Sequence, residues 1–396
     1  MTVPAVVLSR DGGTHAHLWP SRDQRLLLTA VFGPATEAIA AFQQWKLNVD
    51  LDSDFGWESV RLLPLVYHRL HSLGVDDALM GRMKGMYRRA WSENHRLFHE
   101  TAPVIAQLVH HGVDVLLLKG APLAHSYYGN PALRPMSDLD IAVRRESLHR
   151  ALALMHDIGW RCTTDPNERR LRFVHALQFV GPERGEIDLH FRVLVEANRK
   201  GADDAFWSRT EPLAVDGMQV LQLEPAFMLL HVVIHGLRWN VETPIRWISD
   251  ALTIVRMRAA DIDWEAMVSF AQRQRITHRL GLGLAYLVDE FDAAIPGDVI
   301  TRLRSSGPTL LERAENTVLF TDVRAFGGVL PNHWLNLVEF ARSPSAATPL
   351  GFVRGYPHFL AYRFNLNGRR ELLSFLARGM VRMLTGSRDT IETVKG

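Results

Sequence analysis

The spacing of apolar residues divides the chain into a helical beginning, a strand-rich middle and a helical remainder. From Asp23 to about Asn94, apolar residues recur at the three- and four-residue spacing of amphipathic helices. The run from Met80 to His111 keeps this spacing, and Gly112 follows it as a helix stop. Helical spacing returns from Glu224 to about Ala341. We therefore expect helices on both sides of a different central unit.

Short apolar runs typical of β-strands occupy the central unit, and glycine or polar residues separate them. One helical segment, Glu146 to Ile158, interrupts them and ends before Gly159. The predicted strands are 113–118, 138–143, 172–180, 186–193 and 213–223. Strands interleaved with helices predict an α+β fold with a small mixed sheet.

The change of pattern also predicts the domain organisation. At 396 residues the chain is long enough for two or three domains, since about 100–200 residues per domain is usual. We predict a helical N-terminal region at 1–100, an α/β catalytic core at 101–223 and a helical C-terminal region at 224–396.

Composition is that of an ordinary folded protein, with 47% hydrophobic and 22% charged residues. The formal charge of +2 argues against nucleic acid held by overall charge. Cys162 is the single cysteine, which rules out an intrachain disulfide and suits a reducing compartment. The first residues lack a basic and apolar secretion signal, so we expect a cytoplasmic protein.

Two aspartates begin the strand predicted at 138–143. Asp138 and Asp140 are two positions apart, so on a strand both side chains project from the same face. Two carboxylates in one small space repel each other, and a divalent cation between them removes that repulsion. Carboxylate oxygens are ligands that Mg²⁺ prefers. The pair predicts a metal site for phosphate chemistry; the alternative is a strand end or a helix cap.

A third carboxylate is available on the strand predicted at 186–193. Glu186, Asp188 and His190 alternate there with apolar residues. Asp188 is central and has apolar neighbours, so we predict it as the third metal ligand, with Glu186 in reserve. His190 would share that face, either contacting substrate or serving as a structural histidine.

A Lys-Gly turn follows the first predicted strand. Gly120 would let a phosphate approach the backbone, the helix start after it favours anions, and Lys119 adds a positive charge. The alternative for Lys119 is a strand-end lysine whose stem covers apolar surface. Arg134 could pair with a phosphate or a nearby acid, and Ser137 could cap the turn or bond a phosphate oxygen. These four residues are the candidates for nucleotide binding.

With these motifs the chain resembles the polymerase-beta-type nucleotidyltransferase superfamily and, within it, a bacterial family of uncharacterised nucleotidyltransferases. The superfamily pattern is a strand, a glycine turn, a helix, Asp-x-Asp on a strand and a later single acid. The chain departs from it in having Lys119-Gly120 where Gly-Ser is usual, and a longer interval to the first Asp. The matching segments are 118–121, 127–128, 134–140, 186–190, 231–235 and 246–250.

The resemblance implies a nucleotidyltransferase that requires Mg²⁺, with two ions expected, and moves a nucleoside monophosphate from an NTP to a hydroxyl or phosphate acceptor. Pyrophosphate is the other product. On this chain Asp138 and Asp140 would contact both ions, and Asp188 would hold the acceptor-side ion. The acceptor stays open among a small molecule, a peptide and a protein, while nucleic acid is less expected without a basic stripe. Two alternatives are a binding module without turnover and a kinase-like phosphoryl transferase.

Two further features have structural interpretations. His231 and His235 are four apart on a predicted helix, but no Glu follows His231 to complete a zinc-protease motif. We expect them at a seam between the C-terminal helices and the core. The tail at 368–384 combines an apolar stripe with arginines; packing within the protein is favoured over contact with an anionic membrane surface.

Overall fold

The structure is a computed structural model with one mixed sheet and helices on both of its faces. The tail predicted to pack or touch a membrane, 368–384, lies mostly outside the described residues. No helix within the described ranges is long and apolar enough to cross a membrane. The described residues are 19–49, 56–197, 199–215, 217–238, 245–320, 336–346, 348–364, 366, 371–375 and 377.

Seven short strands form the sheet in the order β3-β4-β5-β2-β1-β7-β6. The pairs β1–β7 and β2–β5 are parallel, and the other four pairs are antiparallel. The sheet is therefore mixed, as the sequence predicts. The strands are β1 (Leu116–Leu117), β2 (Leu139–Ala142), β3 (Arg161–Cys162), β4 (Ala176–Val180), β5 (Glu186–His190), β6 (Thr210–Val215) and β7 (Met218–Leu223).

Among the described residues, five helices precede the sheet and most of the others follow it. The first begins with a capping box, in which Ser21 and Gln24 each bond the other's backbone N–H. The early helices are α1 (Arg22–Phe32), α2 (Ala35–Asn48), α3 (Trp57–Val60), α4 (Leu63–Ser72) and α5 (Leu79–His110). Within the sheet region are α6 (Gly120–Pro122), α7 (Leu148–Asp157), α8 (Glu168–Leu171) and α9 (Ala202–Trp207). The later ones are α10 (Pro225–Gly236), α11 (Arg246–Arg258), α12 (Trp264–Gln274), α13 (Thr277–Phe291), α14 (Gly297–Ser305), α15 (Leu310–Phe320) and α16 (Pro349–Arg363).

Two apolar cores cover the two faces of the sheet. One joins α1, α2, α4 and α10–α14 to the sheet face that carries Leu116, Leu118 and Ala142. The other packs α7 and the last turns of α5 against the face that carries Leu117 and Ile141. The alternation of side chains along β1 and β2 produces this division. The helices before and after the sheet thus share one core.

The structure confirms the α+β class and refines the predicted elements. The run at 213–223 is two strands, β6 and β7, because the chain reverses at a turn where Gly217 has a φ of 79°. The run at 172–180 is a strand only from Ala176, and β3 was not predicted at all. The long helix α5 ends two residues before Gly112, which has a φ of 69°. Because α5 passes through residue 100, the predicted domain boundary there falls inside a helix.

Candidate metal and nucleotide site

The turn after β1 holds Lys119 in a backbone conformation that L-residues rarely adopt. Its φ is 50° and its ψ is −108°. Gly120 comes next, and a Cβ added there would lie 2.5 Å from Sδ of Met136. The unusual backbone angles thus belong to the lysine, whereas the glycine allows Met136 to pack closely on the turn. Whether Gly120 also admits a phosphate stays a prediction.

Asp140, at the second position of β2, accepts two hydrogen bonds on one oxygen. Lys119 Nζ donates to Asp140 Oδ1 at 2.6 Å, and His190 Nε2 lies 2.9 Å from the same atom. Burial by itself raises the pKa of the Asp140 carboxyl. The Lys119 charge and the His190 hydrogen bond outweigh burial and hold that pKa well below its usual range. Asp140 is therefore a buried, ionised carboxylate.

Asp188 is the direct register partner of Asp140 on the neighbouring parallel strand β5. Neighbouring strands lie about 4.8 Å apart, so the register brings the two carboxylates together. Asp188 is half-buried, and no described residue donates a hydrogen bond to its carboxylate or forms an ion pair with it. Burial and the charges of Asp140 and Asp138 raise the pKa of Asp188 to about 6. The two aspartates, which are direct register partners on adjacent strands, thus have opposite electrostatic surroundings.

The ligand atoms of Asp140, Asp188 and His190 all lie within 4.8 Å of one another. Two of the three predicted metal ligands belong to this group, and Asp138 does not. Asp138 is half-buried, and its Oδ1 accepts a hydrogen bond from Ser137 Oγ at 3.2 Å. Carboxylate oxygens from two strands, one of them without a counter-ion, fit a hard divalent cation. The roles of these residues as ligands stay predictions.

The loop that carries Asp138 is fixed by Asn94, a fully buried residue of α5. Its Nδ2 donates to the carbonyl oxygens of Pro131 and Arg134, at 2.6 and 2.9 Å. Its Oδ1 accepts from the Met136 backbone N–H at 3.0 Å. A single amide side chain therefore holds three points of the loop that leads into β2.

Arg134, another predicted phosphate contact, forms an ion pair with an acid of α11. Its Nε donates to both carboxylate oxygens of Asp250 in α11, at 2.8 and 3.0 Å, and both residues are buried. The hydroxyl of Tyr128 donates to the same carboxylate at 3.0 Å. Of the two partners considered from the sequence, the structure shows the acid. A phosphate contact by Arg134 stays a prediction.

Sequence reasoning missed two polar residues beside this loop. Arg61 NH2 donates to Ser137 Oγ at 3.2 Å, which joins the α3–α4 segment to the Asp138 loop. Asn94 is the other. A lone arginine or asparagine within an apolar helical pattern carries no distinguishing motif, so only tertiary structure could have identified either one.

Of the histidines in this region, His190 and His231 are buried and His235 is half-buried. His231 Nε2 lies 3.1 Å from the carbonyl oxygen of Val193, just past β5, and its ring stacks with that of His235 at 5.9 Å. Burial, followed by the Lys119 charge, lowers the pKa of His231 to about 3. His231 thus lies where α10 meets the sheet. The metal-ligand group found among the described residues contains His190 and neither of these two.

Comparison with known proteins identifies the chain. One solved structure, of an antigenic nucleotidyltransferase-like protein from Paracoccidioides brasiliensis, is similar over 54% of this chain and 94% of its own chain. Its sequence identity is 15% and its TM-score is 0.35. No curated protein matches. The family model described as "Uncharacterised nucleotidyltransferase" matches residues 58–292, more than half of the chain, and confirms the resemblance predicted from the motifs. The chain belongs to the uncharacterised nucleotidyltransferase family.

Proposed function

We propose that the protein transfers a nucleoside monophosphate from an NTP to a hydroxyl or phosphate group of an acceptor, with Mg²⁺ required and pyrophosphate released. The observation that carries the proposal is the register of β2 and β5, which makes Asp140 and Asp188 direct neighbours beside the Lys119 turn. The family match supports the same reaction class.

The proposed metal ligands are Asp138, Asp140 and Asp188, which would hold two Mg²⁺ ions. When bound, these ions would activate the acceptor oxygen and neutralise charge on the phosphates. Lys119, Gly120 and Ser137 are the proposed nucleotide contacts, and the contact of Lys119 with Asp140 supports the first of them. Arg134 is the fourth proposed nucleotide contact. While it is paired with Asp250 it would act by holding the loop before β2 in place, and it could contact a phosphate only if that ion pair breaks.

Asp188 is suited to receive a proton from the acceptor. Its pKa of about 6 lies just below neutral pH, so at pH 7 most copies are ionised and basic enough to accept a proton. Asp140 cannot share that role, because Lys119 and His190 hold it ionised with a weak affinity for protons. The two strands thus supply one fixed charge and one titratable base.

The test is transfer of label from α-³²P-NTPs to a cell extract in the presence of Mg²⁺. We expect labelled product and pyrophosphate with the wild-type protein and no product with Asp188→Asn. Glu183→Gln is the matched control, because it makes the same acid-to-amide change at an exposed turn position before β5 and should keep activity. The labelled fraction also reports whether the acceptor is a small molecule, a peptide or a protein.

Two outcomes would contradict the proposal. Nucleotide that binds with Mg²⁺ but is never converted would indicate a binding module. Release of ADP from ATP, instead of pyrophosphate, would indicate a phosphoryl transferase.

A further inference from the structure

Lys119 forms an ion pair with Asp140, which is one of the proposed metal ligands. Its ammonium group donates to Asp140 Oδ1 at 2.6 Å, within a site that already has His190 on the same oxygen. A divalent cation shared by Asp140 and Asp188 would therefore lie near the positive charge of the Lys119 ammonium group. Two like charges this close, in a half-buried site, repel each other strongly. The ammonium and the ion cannot both occupy the position against Asp140 that each favours.

The lysine is able to move away. Its side chain is 18% exposed, whereas that of Asp140 is 9% exposed. Its four-carbon stem is flexible, and its three N–H donors can turn to another oxygen acceptor. The backbone of Lys119, with a φ of 50° and a ψ of −108°, is one that L-residues rarely adopt.

Asp188, the other carboxylate of the site, has no such counter-ion in the described part of the chain. It is the register partner of Asp140, its ligand atom lies within 4.8 Å of those of Asp140 and His190, and no described residue forms an ion pair with it. Lys119 thus neutralises one of two neighbouring carboxylates and leaves the other ready for an incoming cation.

We propose that Lys119 is a built-in counter-ion of Asp140, which a divalent cation displaces and whose freed ammonium group then binds the phosphates of the nucleotide. The inference rests on the proposed function, and it adds an exchange of partners by one named side chain. It implies that Lys119 opposes metal binding in the absence of nucleotide and supports nucleotide binding once metal is present.

The first experiment measures Mn²⁺ affinity without nucleotide, from the electron paramagnetic resonance signal of free Mn²⁺. We expect Lys119→Met to bind Mn²⁺ about tenfold more tightly than wild type, since changes next to metal ligands alter affinity by about 10–100-fold. Methionine keeps the length of the side chain and removes the charge. Lys84→Met is the matched control, because Lys84 is exposed on α5, and it should leave Mn²⁺ affinity unchanged.

The second experiment measures binding of a non-hydrolysable ATP analogue at saturating Mn²⁺. We expect Lys119→Met to bind the analogue about tenfold more weakly than wild type, although it binds the ion more tightly. Coupling between two ligands is reciprocal. The analogue should therefore increase the Mn²⁺ affinity of wild type by a larger factor than that of Lys119→Met. A lysine that only supported the turn would not produce changes of opposite sign.

Several results would overturn the inference. Equal or weaker Mn²⁺ affinity in Lys119→Met, with normal binding in wild type, would show that Lys119 does not compete with metal and would leave the proposed function intact. If neither protein binds Mn²⁺ although thermal unfolding shows both folded, the inference and the metal-dependent function fail together.

Discussion

Two buried ion pairs lie close to the candidate site, and they are built differently. Arg134 and Asp250 are 10% and 4% exposed, and Nε of Arg134 bonds both carboxylate oxygens. Lys119 and Asp140 are joined through one carboxylate oxygen, and the lysine is 18% exposed. The arginine pair connects the loop before β2 to α11. The lysine pair lies beside a second carboxylate that has no partner among the described residues.

The difference in burial indicates that the arginine pair maintains the fold, whereas the lysine pair has the exposure that our proposed exchange of partners requires. A fully buried pair has no alternative partner, so loss of either member leaves an unpaired charge away from water. A partly exposed lysine can turn to solvent or to a ligand, so its carboxylate remains available. We therefore expect removal of the acid to lower the free energy of unfolding at the arginine pair and the transfer rate at the lysine pair.

The largest expected effect is on transfer in Asp140→Asn. Removal of a predicted metal ligand should lower the transfer rate at least ~10³-fold, or about 4 kcal/mol in activation free energy. The free energy of unfolding should fall by less than about 2 kcal/mol, because Lys119 can be solvated. Label transfer and urea unfolding measure the two quantities. A large loss of stability with little loss of rate would reverse the comparison.

Asp250→Asn should show the opposite pattern. We expect unfolding to become easier by about 3–5 kcal/mol, because Arg134 stays buried and charged without its partner. Urea denaturation measures this effect. Tyr128→Phe is the graded control, since it removes only the hydroxyl hydrogen bond to Asp250 and should cost about 1 kcal/mol.

The pH dependence of metal binding should identify Asp188. Its pKa is raised from 3.8 to about 6, so protons compete with metal below about pH 6. Mn²⁺ affinity should rise up to about tenfold per pH unit below that value and level off above it. Asp188→Asn should bind weakly and without this slope.

The same group predicts a change in stability of the metal-free protein. Between pH 3.8 and about 6 the folded state holds a proton that the unfolded chain has lost. The free energy of unfolding contributed by Asp188 therefore decreases as pH rises through this window. Urea denaturation with chelator present measures this contribution as the difference in free energy of unfolding between wild type and Asp188→Asn, which should decrease as pH rises through the window.

The smallest expected effect is a difference in stability between two variants of Lys119, which distinguishes backbone strain from loss of the charge. Both Lys119→Met and Lys119→Gly remove the ion pair, but only glycine relieves the backbone at φ 50°. We expect the glycine variant to be more stable than the methionine variant by about 1 kcal/mol, measured by thermal unfolding. Equal stabilities would show that the backbone conformation carries no strain.

The sequence was sufficient for the parts of the site that depend on strand periodicity. Asp140 on one strand and Asp188 on another follow from alternation, and the α+β class follows from the order of predicted elements. Asp138, predicted on the same strand as Asp140, lies instead in the loop just before β2. The register that makes Asp140 and Asp188 direct neighbours could not be read, because it depends on which strands pair.

Contacts between distant segments were also beyond sequence reasoning. Asn94 meets a loop about forty positions later, and Arg134 meets an acid in α11. Neither pairing has a local motif. The backbone angles of Lys119 were not foreseen either, since glycine next to it was the natural candidate for an unusual conformation.

The three hydrogen bonds made by Asn94 set a practical limit on how the protein can be shortened. A fragment that began at residue 101 would retain every strand and every acidic side chain of the site, yet it would lose the amide that shapes the loop before β2. It would also remove more than half of α5, whose last turns cover one face of the sheet. Minimal versions for spectroscopy or crystallisation should therefore start upstream of Leu79.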